Sequence, residues 1–188
     1  MNRNIVITGG SGGIGSALVE RFLSEGDYVF FSYLAGKDRA EAIVGTSAEG
    51  RCGCGGLDLT DTDSIRSFVR SCDDFFIGRE RILINNAGIS IVSPLWDMAD
   101  GDIVKLISVD LTGTILLTKY MLSGMLGGKG GGIINVTSVW GERAASCESV
   151  YAAAKAGGYS PPSSSFVMTV RLVFRLRAEI SIRRSSLR

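Results

Sequence analysis

Histidine is absent from the 188-residue sequence, and only three residues are proline. Without an imidazole the chain cannot form a Ser-His-Asp triad, a Cys-His pair, a histidine-ligated zinc or haem site, or a histidine pH switch. Proton transfer must therefore use tyrosine, lysine, cysteine, aspartate or glutamate. No apolar run approaches the roughly 20 residues needed to cross a bilayer. Because the chain begins directly with a predicted strand rather than a targeting segment, we expect a cytoplasmic protein without membrane contact.

Cysteine is scarce as well, with four residues at positions 52, 54, 72 and 147. Cys52 and Cys54 form a C-x-C pair, but a zinc site would need a second pair or histidines. The sequence also lacks a secretory signal that would indicate an oxidising compartment. We therefore expect reduced, structural thiols and no metal site.

The net charge of +1 conceals an uneven distribution. Residues 159–188 contain six arginines, no lysine and one acidic residue, Glu179, so this segment carries +5. The rest of the chain carries −4. A mildly acidic body argues against a nucleic-acid-binding surface, which needs clustered cations to displace counterions from phosphates. The composition, 45% hydrophobic and 21% charged, is that of one globular domain with a sizeable core.

Strand-like and helix-like patterns alternate along the chain, which is typical of a parallel sheet covered by helices on both faces. We predict strands at residues 4–8, 28–33, 81–85 and 133–137, and a further strand that ends at 57–59. We predict helices at residues 16–25, 37–44 and 102–125, one that begins near residue 62, and a short one at 151–157. Residues 166–182 alternate apolar residues with arginines, so their period indicates a strand.

A glycine cluster, residues 8–15, lies between the first predicted strand and the first helix. Glycines at such a turn let a pyrophosphate approach backbone N–H groups at the helix N-terminus, where the helix dipole favours negative charge. A glycine-rich turn without a ligand is the alternative interpretation. The position directly after an N-terminal strand favours the nucleotide site.

A tyrosine and a lysine, Tyr151 and Lys155, stand four residues apart in the last predicted helix. At this spacing both side chains share one face, so the ammonium can lie near the phenol and favour its ionised form. Such a phenol can exchange a proton with a carbonyl or alcohol oxygen. Ser138 follows the fifth strand and supplies a hydroxyl for the same oxygen. Tyrosine and lysine on a solvated helix face are the alternative.

Four motifs occur together in order: T-G-x-x-x-G-x-G at Thr8–Gly15, N-N-A-G at Asn85–Gly88, Ser138 after a strand, and Y-x-x-x-K at Tyr151 and Lys155. With them the chain resembles the short-chain dehydrogenase/reductase family, of the 3-oxoacyl-acyl-carrier-protein reductase type, over residues 1–157. The resemblance implies an α/β Rossmann fold, a doubly wound parallel sheet of order 3-2-1-4-5 in an α/β/α sandwich. It also implies carbonyl reduction by hydride transfer.

The resemblance assigns roles to individual residues. Tyr151 would be the general acid, Lys155 would tune Tyr151 and hold the nicotinamide ribose, and Ser138 would orient the substrate oxygen. Asp58 and Leu59 would lie near the adenine. The implied cofactor-binding residues are Gly9, Ser11, Gly12, Gly13, Ile14, Gly15, Tyr33, Lys37, Asp58, Leu59, Asn86, Ala87, Gly88, Tyr151 and Lys155.

The second strand ends without an acidic residue, and Lys37 and Arg39 follow it. An acid there would bind the ribose hydroxyls of NAD, whereas a basic neighbourhood accepts the extra phosphate of NADP. The sequence therefore favours NADP(H) over NAD(H). Gly12 argues against this preference for NADP(H), because many NADP-using relatives carry arginine at that position.

Asp110 stands where the family carries a catalytic asparagine. In the family this asparagine is thought to kink the long helix and to hold a water in the proton relay to the lysine. An ionised aspartate accepts hydrogen bonds but donates none. It also adds a negative charge near Lys155, which blunts the effect of that ammonium on Tyr151. We therefore expect Asp110 to occupy a catalytic position and to reduce turnover.

The chain departs most from the family after residue 157. The continuation of the last helix and the later strands are not recognisable, so we expect a Rossmann domain at 1–157 and a non-homologous Arg/Ser-rich tail at 158–188. A frameshift or truncation is the favoured origin, and a tail that evolved to bind RNA, anionic lipid or a partner is the alternative. An incomplete edge would expose the ladder groups of the fifth strand and impair the family's homo-oligomeric assembly.

Three functions remain open at this point. The first is NADPH-dependent reduction of a small-molecule or carrier-bound carbonyl, with acyl carrier protein as the expected carrier. The second is suggested by residues 138–148, which resemble a bacterial subgroup that reduces the 5-aminopentanone modification on elongation factor P. The third is a non-catalytic dinucleotide-binding protein or an inactive fragment.

Overall fold

A computed structural model describes residues 2–76, 81–126 and 131–158, together with the backbone of residues 167–174. Six parallel strands form one sheet in the order β3-β2-β1-β4-β5-β6. The strands are β1 (Asn4–Ile7), β2 (Tyr28–Tyr33), β3 (Cys52–Gly56), β4 (Arg81–Asn85), β5 (Gly131–Ser138) and β6 (Val167–Phe174). The predicted order 3-2-1-4-5 is therefore confirmed for the first five strands.

Helices connect the strands and cover both faces of the sheet. They are α1 (Gly13–Ser24), α2 (Lys37–Gly45), α3 (Thr62–Phe75), α4 (Asp100–Ile107), α5 (Thr114–Leu126) and α6 (Ser149–Gly157). Asp61 caps α3, because its carboxylate accepts a hydrogen bond from the backbone N–H of Asp63 at 2.9 Å.

Alternate residues of the central strands pack into two separate cores. Val6 of β1 and Leu83 of β4 belong to one core with Phe68 of α3 and Leu117 of α5. Ile5 and Ile7 face the opposite way and belong to the other core, with Val19 of α1 and Ala40 of α2. The sheet is therefore buried on both faces, which explains why its central strands are continuous apolar runs.

The third strand lies earlier than the sequence analysis placed it. Residues 57–59 follow the strand, and β3 itself is the glycine-rich segment Cys52–Gly56. Cys52 pairs with Val29 and Gly56 with Tyr33 in a parallel ladder. The pairing with β2 therefore overrides the weak strand propensity of this segment.

The helix predicted at 102–125 is interrupted. A π-helical turn, Ser108–Gly113, separates α4 from α5 and contains the buried residue Asp110. Single π-helical turns within longer helices occur frequently at functional sites. The long helix is therefore irregular at Asp110, the position at which the family's asparagine is thought to kink it.

The segment beyond residue 166 contributes a strand to the sheet, as its alternating pattern predicted. β6 pairs in parallel with β5 along its whole length, from Gly131 opposite Val167 to Ser138 opposite Phe174. The expectation that the ladder groups of β5 are left open is therefore wrong. The remainder of the predicted strand, residues 175–182, lies outside the described residues.

All four cysteines are free in the structure. Cys52 and Cys72 are buried, and burial raises the pKa of Cys52 to about 11 and that of Cys72 still further. Across the described ranges, no helix is both long enough and apolar enough to span a membrane.

Candidate functional site

A cavity of about 820 Å³ lies at the carboxyl ends of the central strands. Its walls are the turn between β1 and α1, the segments that follow β2, β3 and β4, and part of α4 and the π-helical turn. Crevices at this edge are the ligand sites of open parallel sheets. The predicted cofactor residues that line it are Gly9, Ser11, Gly12, Gly13, Ile14, Gly15, Asp58, Leu59, Asn86, Ala87 and Gly88.

The turn between β1 and α1 is closely packed. A Cβ atom on Gly15 would lie 2.1 Å from the carbonyl oxygen of Gly9 and 2.8 Å from the Cα atom of Gly10. Glycine is therefore required at this position for the first turn of α1 to lie against the loop. The helix begins at the cavity wall, so its unpaired N–H groups and dipole favour an anion there.

Thr8 ties the glycine turn to the end of β4. Its hydroxyl oxygen accepts hydrogen bonds from the backbone N–H groups of Asn86 at 2.9 Å and Ala87 at 2.8 Å. The Asn86 side chain in turn donates to the carbonyl oxygen of Thr8 at 2.9 Å. These bonds fix the N-N-A-G segment against the loop, so that both line the same cavity.

Ser32, near the end of β2, holds the glycine turn from the other side. Its hydroxyl accepts a hydrogen bond from the N–H of Gly9 at 2.9 Å, and its carbonyl oxygen accepts one from the N–H of Gly10 at 2.8 Å. The sequence alone predicted no role for Ser32 or for Thr8. The small hydroxyl at each strand end next to the glycine cluster was the available signal.

Asp58 lies in the cavity wall just after β3. Hydrogen bonds from the hydroxyl and the backbone N–H of Thr60, at 2.6 and 2.8 Å, lower the pKa of Asp58. The carboxylate is therefore an ionised acceptor at neutral pH. Lys105 of α4 also lines the cavity and was not predicted.

Tyr151 and Lys155 lie on α6, and the ammonium nitrogen of Lys155 is 5.5 Å from the centre of the Tyr151 ring. Lys155 is buried and Tyr151 is half-buried. Ser138 ends β5, and its hydroxyl accepts a hydrogen bond from the backbone N–H of Trp140 at 3.2 Å. The predicted pairing of ammonium and phenol on one helix face is therefore present in the structure.

Asp110 contacts the lysine of this pair directly. Its Oδ2 atom lies 3.0 Å from Nζ of Lys155, and its Oδ1 atom accepts a hydrogen bond from the N–H of Ile89 at 2.7 Å. A Cβ atom on Gly88 would lie 2.9 Å from both Asp110 Oδ2 and Lys155 Nζ. Because Gly88 also lines the large cavity, the ion pair lies directly behind the cavity wall.

A chain of asparagines connects the end of α6 to the sheet. The Asn85 amide donates to Oδ1 of Asn135 at 2.8 Å and to the hydroxyl of Thr118 at 3.1 Å. The Asn135 amide donates to the carbonyl oxygen of Gly158 at 3.2 Å. These bonds hold the C-terminal end of α6 against β5 and contribute to placing Lys155.

Four predicted cofactor residues are not among those that line the cavity. Tyr33 ends β2 but is not among the lining residues, and the same is true of Lys37. Lys37 is exposed at the start of α2 and pairs with Glu41 at 3.5 Å. Lys155 and Tyr151 are also outside the lining, although Lys155 lies against Gly88.

The fold and cavity define a dinucleotide-binding α/β protein of the Rossmann type. The residues present fit such a ligand: Gly15 leaves no side chain between helix and loop, and the cavity volume lies in the usual cofactor range of about 300–1,000 Å³. The family model for short chain dehydrogenases matches residues 3–161, and the chain belongs to this family of oxidoreductases. The family binds an NAD(P) nucleotide.

Curated relatives have several different names. The chain is 36% identical over 159 residues to the uncharacterized oxidoreductase YxbG of Bacillus subtilis, with 83% of this chain and 57% of the relative covered. It is 36% identical over 154 residues to the 3-oxoacyl-[acyl-carrier-protein] reductase FabG of Vibrio harveyi, covering 81% and 61%. It is 32% identical over 172 residues to a sorbitol dehydrogenase of Cereibacter sphaeroides, covering 90% and 65%.

Solved structures show the same fold. A double mutant of a Serratia marcescens short-chain dehydrogenase/reductase matches with a TM-score of 0.75 and 32% identity, over 82% of this chain and 63% of that one. A short chain dehydrogenase from Bacillus anthracis matches with a TM-score of 0.76 and 28% identity, over 82% of this chain and 65% of that one.

The chain spans about 57 to 65% of the length of the first curated relatives that it matches.

Proposed function

We propose that the chain is an NADPH-dependent reductase that converts a carbonyl to an alcohol. The observation that carries this proposal is the location of Tyr151 and Lys155. The two side chains face each other on α6, and Lys155 lies against Gly88 in the wall of a cavity of dinucleotide size. A proton donor next to a nucleotide site is the arrangement that carbonyl reduction requires.

The residues of the chain act by binding, orienting and moving one proton. The glycine turn and the N-terminus of α1 hold the pyrophosphate, and Asp58 and Leu59 line the adenine end. Bound NADPH supplies the hydride. Ser138 orients the carbonyl oxygen, Tyr151 donates the proton to it, and the Lys155 ammonium stabilises the negative charge that remains on the phenol oxygen.

The preference for NADP(H) is supported by the end of β2. Ser32 stands there with its hydroxyl occupied by the N–H of Gly9, and β2 ends without a carboxylate that would repel a ribose phosphate. Lys37 is exposed on α2, so it is free to reorient from Glu41 towards a phosphate. We expect Lys37→Gln to weaken NADPH binding and to leave NADH binding unchanged, with Arg70→Gln on α3 as the control for loss of a positive charge.

The proposed substrate is a 3-oxoacyl group on acyl carrier protein. Several relatives at 33 to 36% identity are named 3-oxoacyl-[acyl-carrier-protein] reductase, which supports this assignment over the other named activities. The 5-aminopentanone modification of elongation factor P is the alternative, on the resemblance of residues 138–148. We propose that the protein acts in the cytoplasm.

We further propose that residues 1–157 form the NAD(P)-binding domain and that residues 158–188 are a non-homologous tail produced by truncation or frameshift. One fact supports this division: the match to the family model ends at residue 161. The proposal implies reduced turnover and impaired homo-oligomeric assembly. The nucleotide sequence around codon 158 tests it, since an uninterrupted frame with the same tail in related strains would contradict the frameshift.

A non-catalytic dinucleotide-binding protein is the second candidate. It is favoured by the ion pair between Lys155 and Asp110, which engages the lysine that the reaction needs. In this candidate the glycine turn and the N-N-A-G segment keep their cofactor role, while Tyr151 transfers no proton.

Binding and turnover measurements separate the two candidates. NADPH fluorescence titration of the full chain, followed by addition of a 3-oxoacyl thioester, should show both binding and oxidation of NADPH. Tyr151→Phe should bind NADPH with unchanged affinity and lose about 10²-fold or more in rate. Binding without turnover in the parent would support the second candidate, and absence of binding would contradict both.

A further inference from the structure

Glu148 lies directly before α6 and places a carboxylate near the proposed proton donor. The carbonyl oxygen of Glu148 accepts a hydrogen bond from the N–H of Ala152 at 2.8 Å, so helical hydrogen bonding already starts at this residue. Residues three or four positions apart are neighbours on a helix surface. Glu148, Tyr151 and Lys155 therefore form one stripe along α6, with the carboxylate at the beginning of the helix.

The carboxylate of Glu148 does not cap the helix. Glu148 occupies the N-cap position of α6, but its side chain accepts no hydrogen bond from the N–H groups of the first turn. Its Oε2 atom accepts a hydrogen bond from the hydroxyl of Ser90 at 3.3 Å. A second bond joins the same two segments, from the N–H of Ser93 to the carbonyl oxygen of Cys147 at 2.9 Å. Glu148 therefore faces the segment that continues the cavity wall from Gly88.

The charge of this carboxylate is not balanced within the part of the chain that the structure describes. The ion pairs of the described residues do not include Glu148, although this residue is half-buried. Residues 89–104, which include Ser90, contain three aspartates and neither lysine nor arginine. Charges that are withdrawn from water are favourable when a group of opposite sign accompanies them. The stripe that carries Tyr151 therefore lacks a cation at its Glu148 end.

We propose that Glu148 is a specificity-determining residue that selects carbonyl substrates by charge; this inference rests on the proposed function. It favours a ketone with a cationic group a few bonds from the carbonyl carbon, and it disfavours a ketone with an anionic group there. In the first case the substrate supplies the missing partner of the carboxylate, and in the second case the two like charges repel each other. A neutral thioester, the carbonyl compound proposed above, is neither favoured nor disfavoured by this charge.

Three ketones of matched shape test this selection with NADPH and the full chain. The cationic ketone bears a trimethylammonium group three methylene groups from the carbonyl. The neutral ketone is its tert-butyl analogue, which differs by carbon in place of nitrogen, and the anionic ketone has a carboxylate in the same place. We expect kcat/KM for the cationic ketone to exceed that for the neutral one by about 10-fold, and the anionic ketone to be the poorest substrate.

Substitution of Glu148 separates the effect of its charge from a structural effect. Glu148→Gln keeps the length of the side chain and removes its charge, so the ratio of kcat/KM for the cationic and the neutral ketone should fall close to one. Glu148→Asp keeps the charge and should keep the order of preference. Glu20→Gln removes an exposed carboxylate on α1 and is the control for charge loss, with an unchanged ratio expected. Because a loss of stability would slow the three ketones alike, an unchanged ratio in Glu148→Gln would overturn the proposal.

Binding measurements distinguish this inference from the proposed function. The three ketones are titrated by calorimetry into NADPH-loaded Tyr151→Phe, with and without Glu148→Gln, so that affinity is measured apart from turnover. Tighter binding of the cationic ketone that depends on Glu148, in a protein whose parent reduces neither these ketones nor a 3-oxoacyl thioester, would support the selection and contradict the proposed function. Reduction of all three ketones with equal efficiency would support the function and contradict the selection. Absence of both binding and reduction would contradict both.

Discussion

Among single residues, Asp27 stabilises the fold through its charge. It is 2% exposed, and it accepts hydrogen bonds from the backbone N–H of Arg3 at 2.9 Å and from the Arg3 guanidinium at 3.1 Å. Burial by itself would raise the pKa of Asp27, but these bonds outweigh it and lower the pKa. The ionised carboxylate therefore stabilises the folded protein at pH values above the usual aspartate pKa of about 3.9. This stabilisation is lost as the pH falls through the lower pKa that Asp27 has in the folded state.

Asp27→Asn should lower the unfolding free energy by about 1 kcal/mol at neutral pH, a modest value because the Arg3 side chain is 43% exposed. The difference from the parent should shrink as pH falls below about 4. Urea unfolding across this pH range measures it, with the exposed residue Asp74 changed to asparagine as the control for charge loss. A difference that stays constant with pH would show that the charge of Asp27 is not involved.

Cys147 is the described non-glycine residue with a left-handed backbone, at φ 62°. This conformation costs a non-glycine residue about 1 to 2 kcal/mol. Cys147→Gly should therefore raise the unfolding free energy by about 0.5 to 1 kcal/mol, since the greater freedom of glycine in the unfolded chain cancels part of the gain. Cys147→Ala is the matched control and should give no increase. Equal increases in both variants would locate the effect in the thiol rather than the backbone.

At the scale of elements, the glycine turn and α1 make one packed unit. Gly15→Ala would place a Cβ atom 2.1 Å from the Gly9 carbonyl oxygen, so we expect a loss of about 1 to 3 kcal/mol and weaker NADPH binding. Gly13 lies in the first turn of the same helix, where a Cβ atom would meet nothing within 4 Å. Gly13→Ala should leave the unfolding free energy unchanged or slightly higher. Thermal unfolding of both variants measures the difference. Equal losses of unfolding free energy in Gly15→Ala and Gly13→Ala would contradict this packing argument.

The elements also show which parts of the fold the sequence could reveal. The bounds of β2 and β4 were predicted as observed, because both are short apolar runs between turn residues. β3 was misplaced because its sequence, CGCGG, has no β-branched residue and becomes a strand only by pairing with β2. The π-helical turn was missed since the apolar period continues through it. Within this turn Asp110 contacts Lys155 and Ile89, which lie far from it in the sequence.

The candidate site could likewise be predicted from the sequence only in part. The motif residues could be predicted because the spacing of each motif is visible in the sequence. Eleven of the implied cofactor residues line one cavity in the structure. Thr8, Ser32 and Asn135 were not assigned, since their roles consist of hydrogen bonds between segments far apart in the chain. Tyr33 and Lys37 were placed by analogy, and neither is among the residues that line the cavity.

At the scale of the whole molecule, β6 completes the pairing of β5 along eight residues. A variant ending at Gly158 should expose the β5 ladder and aggregate, because unpaired edge strands bind one another. A variant ending at residue 174 retains β6 and should remain as dispersed as the parent. Light scattering at equal concentration measures the difference. A well-dispersed variant ending at Gly158 would show that β6 is not needed to protect β5.

We propose above all that the chain retains a working reductase centre built from Ser138, Tyr151 and Lys155. Single-turnover oxidation of NADPH by the full chain with a 3-oxoacyl thioester tests it most directly, with Tyr151→Phe measured in parallel at saturating NADPH. We predict slow conversion of the thioester to its 3-hydroxy product by the parent, and a rate at least about 10²-fold lower in Tyr151→Phe. Bound NADPH that stays unoxidised in the parent, or equal rates in both chains, would contradict the account.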